Sequence, residues 1–222
     1  MIEIKQVDFA EKNYVKEETK KTQIVLHHTV SGDGIEGDIA WWNKQTERIA
    51  THYIIDRQGV VHQLFDDTYW AYHLGTSRDH FKKFGLKYNN LNKTSIGIEL
   101  DSWGAVLLHG ASYYPVKWEH VKYVPNTAAK PIKGYPEEYC SNYKGMRYWE
   151  RYSQKQLDSL QALLKLLTVK HEIPAAYKGD AFWIANKLAL SGQSGIWGHC
   201  SFRSDKSDPH PQAELVNILK SI

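Results

Sequence analysis

The stretch that most constrains this chain begins at Ser153. Gln156 follows three residues later, the spacing of a capping box in which the two side chains satisfy free backbone N–H groups at a helix start. Leu157, Leu160, Leu163, Leu164 and Leu167 then recur at helical intervals, predicting a helix with one apolar stripe that ends near His171. A helix apolar along one side must cover another layer, and the short apolar runs elsewhere supply it as strands. Ile24-Val25-Leu26 closes on His27-His28 and reads as a buried strand with both histidines at its C-terminal edge. Ser95 to Leu100, SIGIEL, alternates so that Glu99 lies on the face opposite Ile98 and Leu100.

Other elements fall between these. Ile39, Trp42 and Ile49 suggest a short helix over Asp38 to Arg48, and His52 to Leu64 holds two β-rich runs around a Gly-containing turn, a hairpin signal. Ile196 to His199 reads as a short strand, Cys200 to Pro211 as a polar loop, and Ala213 to Ile222 as a closing helix. Strands and helices interleave, so the expected fold is α/β, with a central mixed β-sheet flanked by helices. The even spread of Trp and Tyr over 222 residues favours one core, hence a single domain over 1–222. Within it, Asp101 to Tyr152 is rich in Tyr, Pro, Lys and Gly without a period and reads as an insertion, with a hairpin near Tyr113 to Tyr123.

Composition removes several classes. A formal charge of +3 comes from scattered basic residues, which argues against a nucleic-acid partner. The start, MIEIKQVDFA, lacks an apolar signal core, and no run approaches the roughly 18 apolar residues of a membrane span. The expectation is therefore a chain made in the cytoplasm without a Sec-type signal and without a membrane partner. Cys140 and Cys200 form neither a disulfide framework nor a CxxC pair and are expected as reduced thiols. Most of the eight Trp and fourteen Tyr belong to the core, although flat rings also stack on sugar faces.

Three potential metal ligands fall at strand ends or in the loop beyond: His27 or His28, His199, and Asp208. A hydrolytic zinc site takes three such ligands and leaves a fourth position for water. The order IVLHHT, HYIIDRQGVVHQL, AYHLG, SIGIEL, GHCSFRSDKSDP resembles the type 2 N-acetylmuramoyl-L-alanine amidase family, which includes amidase-type phage lysozymes and peptidoglycan recognition proteins. The resemblance runs over about residues 22 to 211. It implies a Zn2+ cofactor in a surface groove, held by His27, His199 and Asp208, with Glu99 moving the water proton and Lys206 stabilising charge on the substrate. It also implies substrate contacts from His28, Tyr72 and His73, the last alternatively supporting the metal site. Some members carry Tyr just before the histidine matching His52; Thr51 stands there, so proton work falls more heavily on Glu99. His52 and His62 flank the hairpin and read as packing residues.

The implied activity is hydrolysis of the lactyl amide between N-acetylmuramic acid and L-alanine, on peptidoglycan or muropeptides, by a monomeric enzyme. A non-catalytic recognition module is the alternative, and Asp208 favours catalysis because some relatives in the recognition-protein branch lack the third ligand and only hold muropeptides. HExxH and the HxE…PCxxC deaminase signature are absent, which argues against other zinc hydrolases. A bacteriolytic phage-type endolysin is the expected role, with a cytosolic muropeptide-recycling amidase as the other possibility.

Overall fold

The computed structural model describes residues 2–222. In chain order its elements are β1 (Ile4–Gln6), β2 (Gln23–His28), α1 (Glu36–Lys44), β3 (Tyr53–Ile55), β4 (Val61–Gln63), α2 (Arg78–Lys82), β5 (Ser95–Leu100), β6 (Ala105–His109), β7 (Ser112–Glu119), β8 (Lys122–Pro125), β9 (Glu137–Tyr143), β10 (Met146–Trp149), α3 (Gln154–Lys170), α4 (Lys187–Leu190), β11 (Gly195–Gly198) and α5 (Ala213–Ser221). Six strands form the central sheet in the order β1-β4-β3-β5-β2-β11. Only the β3–β4 hairpin pairs antiparallel; the other four pairs are parallel, so the sheet is mixed.

Alternation along the strands divides this sheet into two unlike faces. Ile24, Leu26, Ile96, Ile98, Leu100 and Ile196 pack on the leucine stripe of α3 and on Leu215, Ile218 and Leu219 of α5. Each such side chain contributes about 1.5–3 kcal/mol on burial, which makes this layer the main source of stability. The opposite face carries two smaller clusters, one around Phe9, Trp42, Ile54 and Phe65, the other around Val25, Phe81, Trp197 and Phe202. β5 runs between the strands that feed those clusters, and on this face it carries Ser95, Gly97 and Glu99 in place of apolar residues.

The capping box at the start of α3 forms as its sequence predicts: Ser153 Oγ accepts from the Gln156 N–H at 3.1 Å, and Gln156 Oε1 accepts from the Ser153 N–H at 3.0 Å. Two boundaries differ from the sequence reading. α1 stops at Lys44 rather than Arg48, because Gln45 is extended and Ile49 bridges to Tyr72 instead of continuing the helix. β11 ends at Gly198, and His199 opens a 3-10 turn. β1, pairing parallel to β4, has too few apolar residues to stand out in the sequence.

The stretch from 101 to 152 holds more structure than the hairpin its sequence signals. β7 and β8 are that hairpin, and with β6, β9 and β10 they build a second, antiparallel sheet in the order β8-β7-β6-β10-β9. Strands such as EEYCSNY are largely open to solvent and show no apolar alternation, so their pairing leaves no period to read.

Packing of the α3 stripe leads to a direct expectation. Leu160→Ala, at a fully buried site, lowers the unfolding free energy by about 2–5 kcal/mol, while Ser153→Ala costs about 1 kcal/mol through the lost cap. Both appear as a lower urea midpoint at unchanged m-value.

Candidate metal centre

Parallel pairing of β5, β2 and β11 brings their C-terminal ends to one edge of the sheet. His27 stands opposite Glu99 in the β2–β5 register, and His199 follows directly on β11. The loop after His199 turns back, closed by a Cys200 N–H to Asp208 carbonyl hydrogen bond of 3.1 Å, and delivers the Asp208 carboxylate to the same edge. The result is a buried trio. His27 Nδ1 lies 3.1 Å from His199 Nδ1, His199 Nδ1 lies 2.9 Å from Asp208 Oδ2, and His27 Nδ1 lies 3.3 Å from that oxygen.

The hydrogen bonds behind these atoms fix where the imidazole protons sit. Ser95 Oγ donates to the Leu91 carbonyl at 2.8 Å, so toward His73 Nε2, 2.8 Å away, it acts as acceptor. His73 therefore carries its proton on Nε2, and its bare Nδ1 accepts from His27 Nε2–H at 3.0 Å. That leaves His27 Nδ1 as a lone pair. His199 Nε2 lies 2.9 Å from the Leu74 carbonyl, which can only accept, so His199 Nδ1 is a lone pair as well. Two nitrogen lone pairs and a carboxylate oxygen thus face one another with no proton between them.

Such an arrangement is repulsive unless a cation sits among the three atoms, and His27, His199 and Asp208 together could hold a metal ion. Metal–donor bonds of about 2.0–2.1 Å at tetrahedral angles place donors roughly 3.3 Å apart, close to the separations found here. Burial, and then the proximity of His199, push His27 down to about 4, which keeps its ring neutral and able to ligate at neutral pH. Burial opposes ionisation of Asp208, but His199 and His27 outweigh it and hold the carboxyl well below the usual range.

Glu99 borders the same cavity of about 600 Å³. Its Oε2 is buried without a hydrogen-bond partner, and burial, then Asp208 and Asp38, raise its pKa well above the ordinary carboxyl value. A carboxyl held beside the donor set in this way is placed to give and take a proton. Lys206 lines the cavity at its rim. His28 stays out of the trio: its Nδ1 contacts the Tyr152 hydroxyl at 3.1 Å while the ring borders the cavity. Tyr72 is exposed at the rim, packed edge-on against Trp70. His52 is fully buried, accepting from the Gly97 N–H at 3.0 Å, and His62 Nε2 contacts Asp56 Oδ2 at 3.0 Å, so both serve packing.

Three contributors escaped the sequence reading. Ser95 anchors the His73–His27 relay, and the alternation that places Glu99 also places Ser95 on its face. Gly97 leaves room for that relay, because a Cβ there would come within 2.8 Å of Thr51 Cγ2 and 3.0 Å of His73 Nδ1. Asp38, in the first turn of α1, is a third cavity carboxyl; burial lifts it to about 6 against a hydrogen bond from Ser31. Nothing in its sequence context separates it from an ordinary acidic residue of a helix start.

Fold and site together define an α/β protein with a two-histidine, one-aspartate donor set at the carboxyl edge of a mixed sheet. The family model described as N-acetylmuramoyl-L-alanine amidase matches residues 17–211. The chain belongs to that family. No curated protein sequence matches it. Among solved structures, a mutant endolysin from Bacillus subtilis superposes with a TM-score of 0.53 at 15% identity, covering 100% of this chain and 98% of that one. PlyL gives 0.52 at 13% identity over 99% and 98% of the two chains. The N-acetylmuramoyl-L-alanine amidase LysC from Clostridium intestinale URNW gives 0.50 at 13% identity over 98% and 95%. At these identities the likeness is one of fold.

The proton relay yields a test by metal content. His199→Ala loses bound divalent metal after dialysis, Glu99→Gln retains it, and Ser95→Ala, which frees the His73–His27 tautomer, weakens affinity by about tenfold or more. Elemental analysis and competition with a chromophoric chelator measure all three.

Proposed function

We propose that this chain is a zinc-dependent N-acetylmuramoyl-L-alanine amidase that hydrolyses the lactyl amide joining N-acetylmuramic acid to L-alanine in bacterial peptidoglycan, in the role of a phage-type endolysin. The observation that carries this reading is the meeting of His27 Nδ1, His199 Nδ1 and Asp208 Oδ2 beside the unpartnered Glu99 Oε2. Two neutral imidazoles and one carboxylate suit zinc and leave a coordination position free. Bound there, zinc supplies a Lewis acid that lowers the pKa of a water from about 16 to about 7.

The chain's own residues supply the rest. Glu99 accepts the water proton and delivers it to the departing alanine nitrogen, which amide cleavage requires because an amide anion is a very poor leaving group. Lys206 places a compact cation at the cavity rim to offset negative charge growing on the carbonyl oxygen. His73 holds the His27 ring in the tautomer that keeps Nδ1 bare. His28 and Tyr72 border the cavity where the substrate lies.

In this reading residues 1–222 act as one amidase domain with 101–152 inserted in it, working as a monomer on the cell wall. No helix among the described residues is long and apolar enough to cross a membrane. Support for the amidase reading comes from the family match over residues 17–211 and from the cavity that the donor set and Glu99 share.

Purified cell walls treated with the protein should clear and release new free L-alanine amines without new reducing sugars, and a chelator should stop the reaction. Glu99→Gln is expected to keep its metal yet lose about a hundredfold or more in kcat, and Lys206→Ala to lose about a hundredfold. New reducing ends, or walls left intact by the metal-loaded protein, would count against the amidase. Cleavage of soluble muropeptides with sacculi untouched would point to recycling.

A further inference from the structure

A second cavity of about 530 Å³ adjoins the metal centre, and His28, Val30, Trp103 and Lys206 border both. One groove therefore leads from the reactive edge onto the second sheet. The strand registers show which side chains face it. Trp149 pairs with Ala105, Val106 pairs with Pro115 so that Ala105 stands opposite Val116, and Trp118 pairs with Tyr123. By alternation Trp149, Ala105, Val116, Trp118 and Tyr123 share one face, and all but Trp118 line the second cavity.

The strip from Trp149 to Tyr123 carries no charged side chain and ends on two exposed aromatic rings. Trp118 and Tyr123 are 61% and 52% exposed, and their rings meet edge-to-face with centroids 4.8 Å apart. From β10 to β8 the strip crosses three strand spacings, about 14 Å, which is room for more than one sugar ring. The other side of the groove is the loop bearing Ser204, Asp205, Lys206 and Ser207, rich in groups that pair with hydroxyl and acetamido functions. Asp205 is already held by Arg203, at 3.1 Å and 2.6 Å.

We propose that the β10–β6–β7–β8 face is a distal subsite for the neutral glycan strand, seating sugar rings on Tyr123 and Trp118 beyond the residue whose amide is cut. The inference rests on the amidase reading above and adds the direction in which the polymer leaves the metal centre. An apolar, aromatic floor opposite a hydrogen-bonding wall matches the two unlike sides of an N-acetylated sugar. Lys144, on the β9–β10 turn, borders the same cavity and would suit a stem-peptide carboxylate, which is the competing occupant.

The test uses the full chain and compares Trp118→Ala/Tyr123→Ala with wild type on purified sacculi and on a soluble N-acetylmuramoyl tripeptide. Loss of two stacking rings is expected to cut the rate on sacculi by about tenfold and to leave the soluble substrate within about twofold. Binding is read separately from turnover, by titrating tryptophan fluorescence with the neutral tetramer of N-acetylglucosamine. Saturable quenching in wild type that disappears in the double variant supports the subsite. Equal losses on both substrates, no loss on either, or quenching by free stem tripeptide in place of the sugar would overturn it. Wild type inactive on both substrates would sink the amidase reading, and the sugar titration would still decide the subsite.

Discussion

Three electron-rich atoms converge at one edge of the central sheet, and each is held from behind. The Leu91 carbonyl, acting through Ser95 and His73, commits His27 to presenting a bare Nδ1, and the Leu74 carbonyl does the same for His199. Backbone carbonyls cannot donate, so the direction of every proton in this relay follows from its ends. The carboxylate of Asp208 completes a set that repels itself and attracts a cation. Much of the surrounding structure can be understood as what keeps these atoms together.

Register does the first part of that work. A parallel sheet brings strand ends to a common edge, so side chains far apart in sequence meet without any long-range adjustment: His27 on β2, Glu99 beside it on β5 and His199 just past β11. Burial does the second part. Removing water strengthens every electrostatic contact at the site, and it also leaves Glu99 Oε2 without a partner, a cost of about 1–3 kcal/mol that the apolar layer beneath the sheet offsets. The two faces thus divide the labour between stability, carried by α3 and α5, and reactivity, carried by β5 and β2.

The second sheet changes the surroundings of the site rather than the site itself. Its inner face and the loop before Asp208 extend the cavity into a groove, and the residues shared by the two cavities make that passage continuous.

Much of this was legible in the sequence because it is written in local periods. The leucine stripe and capping box define α3, and alternation in SIGIEL puts Glu99 on the face away from the core, as the structure has it. The motif order pointed to the family that the match over 17–211 shows. Local patterns could not say which of His27 and His28 turns inward from the strand end, and only the resemblance chose between them. In the structure His73 engages His27, which meets His199 and Asp208, while the Tyr152 hydroxyl engages His28. Ser95, Gly97 and Asp38 acquire their parts only once distant segments close around them, and the second sheet, whose β9 is largely open to solvent, is specified by pairing rather than by period. Sequence determined the elements and the chemical types available, because those depend on neighbours three or four positions away. Tertiary structure decided which lone pairs face one another, because that depends on register and on hydrogen bonds between residues as far apart as His199 and Leu74.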